Sequence, residues 1–127
     1  MKKTLVYLAS PFSSKNKFTE ECRYEAVTRA AALIKRKYPD IVMFLPITQS
    51  YNMVRHIPSL GGSFDKWEGD DLFMVGISDE LWILKLPGWD TSIGVNAERD
   101  YAKSLGKKIV YINTYDIFEE FKDDLLS

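Results

Sequence analysis

Apolar residues along the chain fall into short unbroken runs separated by longer stretches in which they recur every three or four positions. Thr4 to Ala9 is the first such run, rich in strand formers and ended by Ser10-Pro11. A continuous apolar run of this length predicts a parallel strand covered on both faces. From Thr19 to Tyr38, Cys22, Ala26, Val27, Ala30, Leu33 and Ile34 recur at helical spacing. Thr19 reads as the N-cap, with Glu20 and Glu21 in the first turn, and Pro39-Asp40 as the stop. Ile41 to Leu45 predicts a second buried strand, closed by Pro46.

The stretch from Ile47 to Phe64 mixes Gln, Ser, Asn, His, Pro and Gly61-Gly62 without a clear period. It reads as the longest irregular segment, which in a compact domain is usually functional or mobile. Beyond it the pattern predicts a helix from Asp65 to Ile77, a strand from Glu80 to Leu86, a helix from Gly94 to Leu105 and a strand from Lys108 to Ile112. Gly106 stands where a glycine ends a helix. Tyr115 to Leu126 predicts a closing helix with Ile117, Phe118, Phe121 and Leu125 on one face. The alternation of strand and helix implies a doubly wound parallel α/β sheet of four to five strands, flavodoxin- or Rossmann-like, with right-handed crossovers and helices on both faces.

At 127 residues the chain is expected to be a single domain spanning 1–127. With 46% hydrophobic and 28% charged residues and a net charge of -1, it has no basic stripe to select a nucleic-acid polymer, whereas a small anionic ligand is compatible. The short clusters Lys35-Arg36-Lys37 and Lys107-Lys108 fall near helix C-termini, where cations offset the dipole. Met1-Lys2-Lys3 and the apolar run behind it superficially resemble a secretion signal, but the run is too short and meets Ser10, Pro11 and a polar stretch. No segment approaches the roughly 20 apolar residues of a bilayer span. A cytoplasmic protein is expected, with its single cysteine, Cys22, packed in a helix rather than reactive.

Ligands of open parallel sheets bind beyond the carboxyl ends of the strands. That rule selects the loops Ser10 to Lys17, Thr48 to Phe64 and Pro87 to Ile93. The third runs into Gly94-Val95-Asn96-Ala97-Glu98, which places Glu98 in the first or second turn of a helix. The helix dipole there favours an ionised carboxylate, suited equally to helix stabilisation and to nucleophilic glycosyl transfer. Asp71 reads as exposed, as a cap or as an acid, and Tyr7 as a core residue or a pocket aromatic. Ser13 and Ser14, followed by Lys15 and Lys17, suit a phosphate contact or a solvated loop. Among Trp67, Phe73, Trp82 and Trp89, only Trp89 lies on a loop open to a stacked base. His56 is the sole histidine, so neither a His-based metal cluster nor a Ser-His-Asp triad is expected.

Taken together, Tyr7-Leu8-Ala9-Ser10-Pro11-Phe12, Asp70-Asp71-Leu72 with Asp79 eight residues beyond Asp71, and Gly88-Trp89-x-x-Ser92-x-Gly94-Val95-x-x-Glu98 resemble the nucleoside 2-deoxyribosyltransferase superfamily. Ala102-x-x-x-Gly106-Lys107-Lys108-Ile109-Val110-Tyr111 extends the resemblance, which spans residues 4 to 112. It implies Glu98 as the catalytic glutamate, Asp71 as an aspartate that contacts the base and assists its departure, and Tyr7 as an aromatic beside the nucleophile. From these motifs and the loops beside them, Ser10, Phe12, Ser13, Gly88, Trp89, Ser92 and Gly94 are expected to bind substrate. Classical deoxyribosyltransferases carry an acidic residue six positions before the glutamate, where this chain has Ser92. The Ser-x-Gly-Val-x-x-Glu form is closer to the branch that hydrolyses deoxynucleoside 5′-monophosphates, in which such a serine meets the phosphate. Homologues with a Gly-Trp-x-x-Ser loop are similar too.

The expectation is therefore cleavage of an N-glycosidic bond in a nucleoside or its 5′-monophosphate through a covalent glycosyl-Glu98 intermediate, ending in hydrolysis or transfer to another base. No metal or cofactor is called for, and the resemblance implies a dimer or larger homo-oligomer. Two other readings fit the residues alone: a nucleotide-binding or sensing domain without turnover, and a flavodoxin-like protein using Ser10 to Ser14 as a phosphate loop.

Overall fold

The computed structural model describes residues 2–120. Four parallel strands, β1 (Thr4–Ala9), β2 (Ile41–Phe44), β3 (Glu80–Leu84) and β4 (Lys108–Ile112), form one sheet in the order β2-β1-β3-β4. The helices are α1 (Lys17–Lys37), α2 (Pro46–His56), α3 (Phe64–Ile77), α4 (Ile93–Ser104) and α5 (Thr114–Glu120). This is the doubly wound α/β architecture that the alternation predicts. Phe121 and Leu125 of the expected closing helix lie outside the described residues. No helix among the described residues is long and apolar enough to cross a membrane.

Alternation along β1 divides the core between two faces. Leu8 packs with Val27, Ala30 and Ile34 of α1, Ile47 of α2 and Ile117 of α5. Tyr7 and Ala9 point the other way, onto Val75 of α3 and Val95 and Ala102 of α4. Because β1 is covered on both sides, Val6 through Ala9 are fully buried, the burial that its unbroken apolar run predicts.

Several elements differ from their expected form. The N-cap of α1 is Asn16, whose Oδ1 accepts from the amides of Phe18 and Thr19, so Thr19 lies inside the first turn. Cys22 is exposed rather than packed. β2 is an edge strand, which leaves Val42 40% exposed. β3 stops at Leu84, and Leu86 turns back to bond its carbonyl. Most of the segment expected to be irregular is helical. Pro46 starts α2 where a missing N–H costs nothing. Thr48 and Asn52 turn their side chains back to the carbonyls of Leu45 and Thr48, which lets polar residues sit in a helix.

Candidate active site

The strand order makes β1 and β3 neighbours, while their connections leave on opposite faces, β1 into α1 and β3 into α4. That divergence opens a crevice at the carboxyl ends of the two strands, the usual ligand position in such sheets. A cleft of about 590 Å³ occupies it. One wall is the loop after β1, a second is the loop after β3 with the start of α4, and α3 supplies the third.

Glu98 and Asp71 both line this cleft. Glu98 stands in the second turn of α4, 4% exposed, and Tyr7 Oη donates a hydrogen bond to its Oε2. Tyr7 is itself fully buried and stands behind the carboxylate rather than in the lining. The expectation that the helix dipole keeps Glu98 ionised is corrected. Burial dominates and pushes its pKa from 4.5 up to about 8; the Tyr7 bond pulls it down and the Asp71 charge adds to the rise. The dipole fades beyond the first turn, so it cannot offset desolvation there. Of the two adjacent aspartates on α3, Asp71 turns inward and Asp70 outward. Burial first, then the Asp70 charge, raises the Asp71 carboxyl to about 7. Tyr7 stays a neutral donor, because burial and then the charges of Glu98 and Asp71 hold its phenol well above its ordinary value. The cleft thus holds two carboxyl groups that titrate near neutrality, one of them bonded to a fixed phenol.

Ser10, Phe12, Ser13, Gly88, Ser92 and Gly94, six of the residues expected to bind substrate, also line the cleft. Ser10 is buried, and its hydroxyl is without a hydrogen-bond partner among the described residues. Ser92 is the N-cap of α4, its Oγ accepting from the Val95 amide at 3.2 Å. Trp89 is placed elsewhere: it packs edge-on against Tyr111 at 5.7 Å, with Lys85 Nζ 5.8 Å from its ring, and is not a cleft residue. Asp79 accepts from the Leu5 amide at 2.8 Å and pins the start of β3 to β1. In the loop after β1, the Ser14 amide donates to the Glu20 carboxylate, occupying a group that a phosphate loop would present to its ligand.

Of three further lining residues, Phe64 and Arg23 were not singled out from sequence, and Trp67 was weighed as a stacking aromatic but not assigned to the site. Phe64 and Trp67 open α3, in or beside the segment read as loop. A Cβ on Gly94 would lie 3.1 Å from Phe64 Cδ1, so the bare glycine admits the ring over the start of α4. The third is Arg23, from the second turn of α1. Its Nη1 donates to the carbonyls of Phe12 and Ser13, and its Nη2 to that of Pro87. An arginine on a helix carries no sequence signal for such a contact, which links segments 64 residues apart. Arg23 is the cation of a lining that also holds Asp65, Glu68, Asp71 and Glu98. Among the described residues no group of three His, Cys, Asp or Glu side chains is arranged to hold a metal ion.

Fold and site define the chain as a doubly wound α/β protein with a carboxylate-bearing cleft at the switch point of its sheet. Residues 4–114 match the family described as Domain of unknown function (DUF1937), and the chain belongs to that family. No curated protein matches it.

Proposed function

We propose that the protein cleaves the N-glycosidic bond of a nucleoside or its 5′-monophosphate, with Glu98 as nucleophile. The observation that carries this reading is the pairing of a buried carboxylate, oriented by Tyr7, with a second carboxyl group, Asp71, in one cleft. The Glu98 carboxylate attacks the anomeric carbon as the bond to the base nitrogen breaks. The electron pair leaves with the base, which takes a proton from Asp71. Water, losing its proton to Asp71, then displaces the carboxylate and releases the sugar; a second base in place of water gives transfer. The reactive form holds one proton, on Asp71, with Glu98 ionised and bonded to Tyr7; because Glu98 has the higher value, about 8 against about 7 for Asp71, this is the less populated of the two one-proton forms.

Aromatic Phe12, Phe64 and Trp67 give the cleft apolar surface for a base. Arg23 bonds carbonyls rather than carboxylates, and with Ser13 and Ser92 it offers the side of the cleft best suited to a 5′-phosphate. Assembly into a dimer or larger oligomer is part of the proposal. Phe73 and Ile77, 66% and 53% exposed on α3, offer an apolar face for it.

The test is chromatographic measurement of base release over nucleosides and their 5′-monophosphates, with and without an acceptor base. Wild type is expected to release base, and Glu98→Ala to be folded and slower by roughly a thousandfold or more. A folded Glu98→Ala variant with wild-type turnover removes Glu98 from the mechanism, and no base release from any substrate removes the reading.

A further inference from the structure

β1 and β3 are held together by their ladder only as far as Ala9 and Ile83. Beyond that point the chain leaves the sheet on opposite faces, and the ladder no longer sets the separation of the two loops. Yet these loops, Ser10–Ser13 and Gly88–Ser92, form two walls of the cleft. One side chain bridges them. Arg23 reaches from α1 with Nη1 3.2 Å from the Phe12 carbonyl and 3.0 Å from that of Ser13, and with Nη2 3.2 Å from that of Pro87. A guanidinium presents donors in a planar fork, so a single group can hold three carbonyls of two segments in a fixed relation.

The loop after β3 is shaped to receive that fork. Gly88 follows directly on Pro87 with φ 94°, a conformation that favours glycine, and a Cβ built there would lie 2.8 Å from Arg23 Nη2. An exposed arginine tip would move aside. This one is half-buried and tied at three points, so a side chain at position 88 would displace it from the carbonyls of both loops.

We propose that Arg23 is a positioning residue, a latch that sets the width of the cleft by tying the loop after β1 to the loop after β3. The inference stands apart from the glycosidic reading, because it concerns how the walls are held and its readout is loop opening rather than turnover. Amide hydrogen exchange of the apo protein tests it. Arg23→Lys keeps the charge but not the fork. It should speed exchange by about tenfold or more in both loops, near residues 12–16 and 87–92, while amides in the middle of β1 and β3 keep their protection. Gly88→Ala, although it lies in the second loop, should speed exchange in the first. That remote effect should vanish when Gly88→Ala is added to Arg23→Ala, because the connecting group is gone. Loosening of one loop alone in Arg23→Lys overturns the proposal, as does a remote effect of Gly88→Ala that persists without Arg23. Should Arg23→Ala fail to fold, Arg23→Lys still decides it, and Gly88→Ala overturns it if exchange in the first loop stays at the wild-type rate.

Discussion

Tyr7 and Glu98, 91 positions apart in sequence, meet through a hydrogen bond from the phenol to Oε2 at the buried side of the cleft. The bond exists because β1 turns Tyr7 toward α4, while α4 turns Glu98 toward the sheet from its second turn. It fixes the carboxylate and favours its ionised form against the desolvation that dominates the site. The reactivity proposed for Glu98 therefore depends on a phenol that no ligand in the cleft has to touch.

Tyr7→Phe keeps the packing and deletes the donor. A hydrogen bond to a charged group contributes about 1.5–3 kcal/mol, which corresponds to roughly one to two pH units in the ionisation of Glu98. The alkaline limb of the kcat/KM profile for base release, set by Glu98 as the higher of the two values, should move upward by about that much, and the maximum should fall. A folded Tyr7→Phe variant with an unmoved limb would show that the phenol only packs.

The same burial makes Glu98 a cost to the fold. Its pKa rises from 4.5 to about 8 on folding, so between those values the unfolded chain ionises it and the folded protein does not. Protons bound by the folded state in excess mean that stability falls as pH rises through this window and levels off above about pH 8. Glu98→Gln is neutral throughout and can still accept from Tyr7. Its stability advantage over wild type should be near zero at pH 4 and grow to a few kcal/mol by pH 9, read by denaturant unfolding. An advantage that does not change with pH would contradict the raised pKa.

The fold was legible because a parallel strand buried on both faces leaves an unbroken apolar run, and β1 coincides with its own, whereas β4 keeps its expected bounds as an edge strand with no buried residue. The site was legible where chemistry and turn geometry leave residue signatures, as in Gly88, Ser92, Gly94 and Glu98. Helix α2 was not, because Thr48, Ser50 and Asn52 are also loop residues and their return bonds to backbone appear only once the helix exists. Trp89 misled because an aromatic on a loop looks available to a ligand, whereas β4 supplies Tyr111 to cover it. The charge state of Glu98 was read from its helix position, but desolvation is set by the packed protein around it and outweighs the dipole. Arg23 was invisible because its three partners are carbonyls, which every residue carries.

Ser92 bears on substrate choice separately from stability. It caps α4, and aspartate caps a helix about as well, so Ser92→Asp should leave the melting temperature within a few degrees of wild type. It adds a negative charge beside the side of the cleft assigned to the 5′-phosphate. The ratio of kcat/KM for 5′-monophosphate to nucleoside should therefore fall by about tenfold or more. An unchanged ratio in a stable variant would move the phosphate away from Ser92.

Asp71 is the residue whose role the kinetics separate most sharply. Its carboxyl, raised to about 7 by burial and by Asp70, is largely protonated below neutrality and can give a proton to a departing base. Glu98 must lose its proton to attack, and its own pKa lies at about 8. The two groups share one cleft, and the Asp71 charge raises the Glu98 value, so the pair titrates as a unit. Activity should be bell-shaped in pH, with its maximum between about 7 and 8, where the pair holds one proton. Asp71→Asn removes the donor without removing the nucleophile. Base release should fall by about 10²–10⁴ for bases that depart only when protonated, and far less for a base that leaves as a stabilised anion. The alkaline limb should disappear with it, since that limb reports the pair losing its last proton. An equal loss for both classes of leaving group, with the bell intact, would show that Asp71 holds the substrate and that the proton comes from elsewhere.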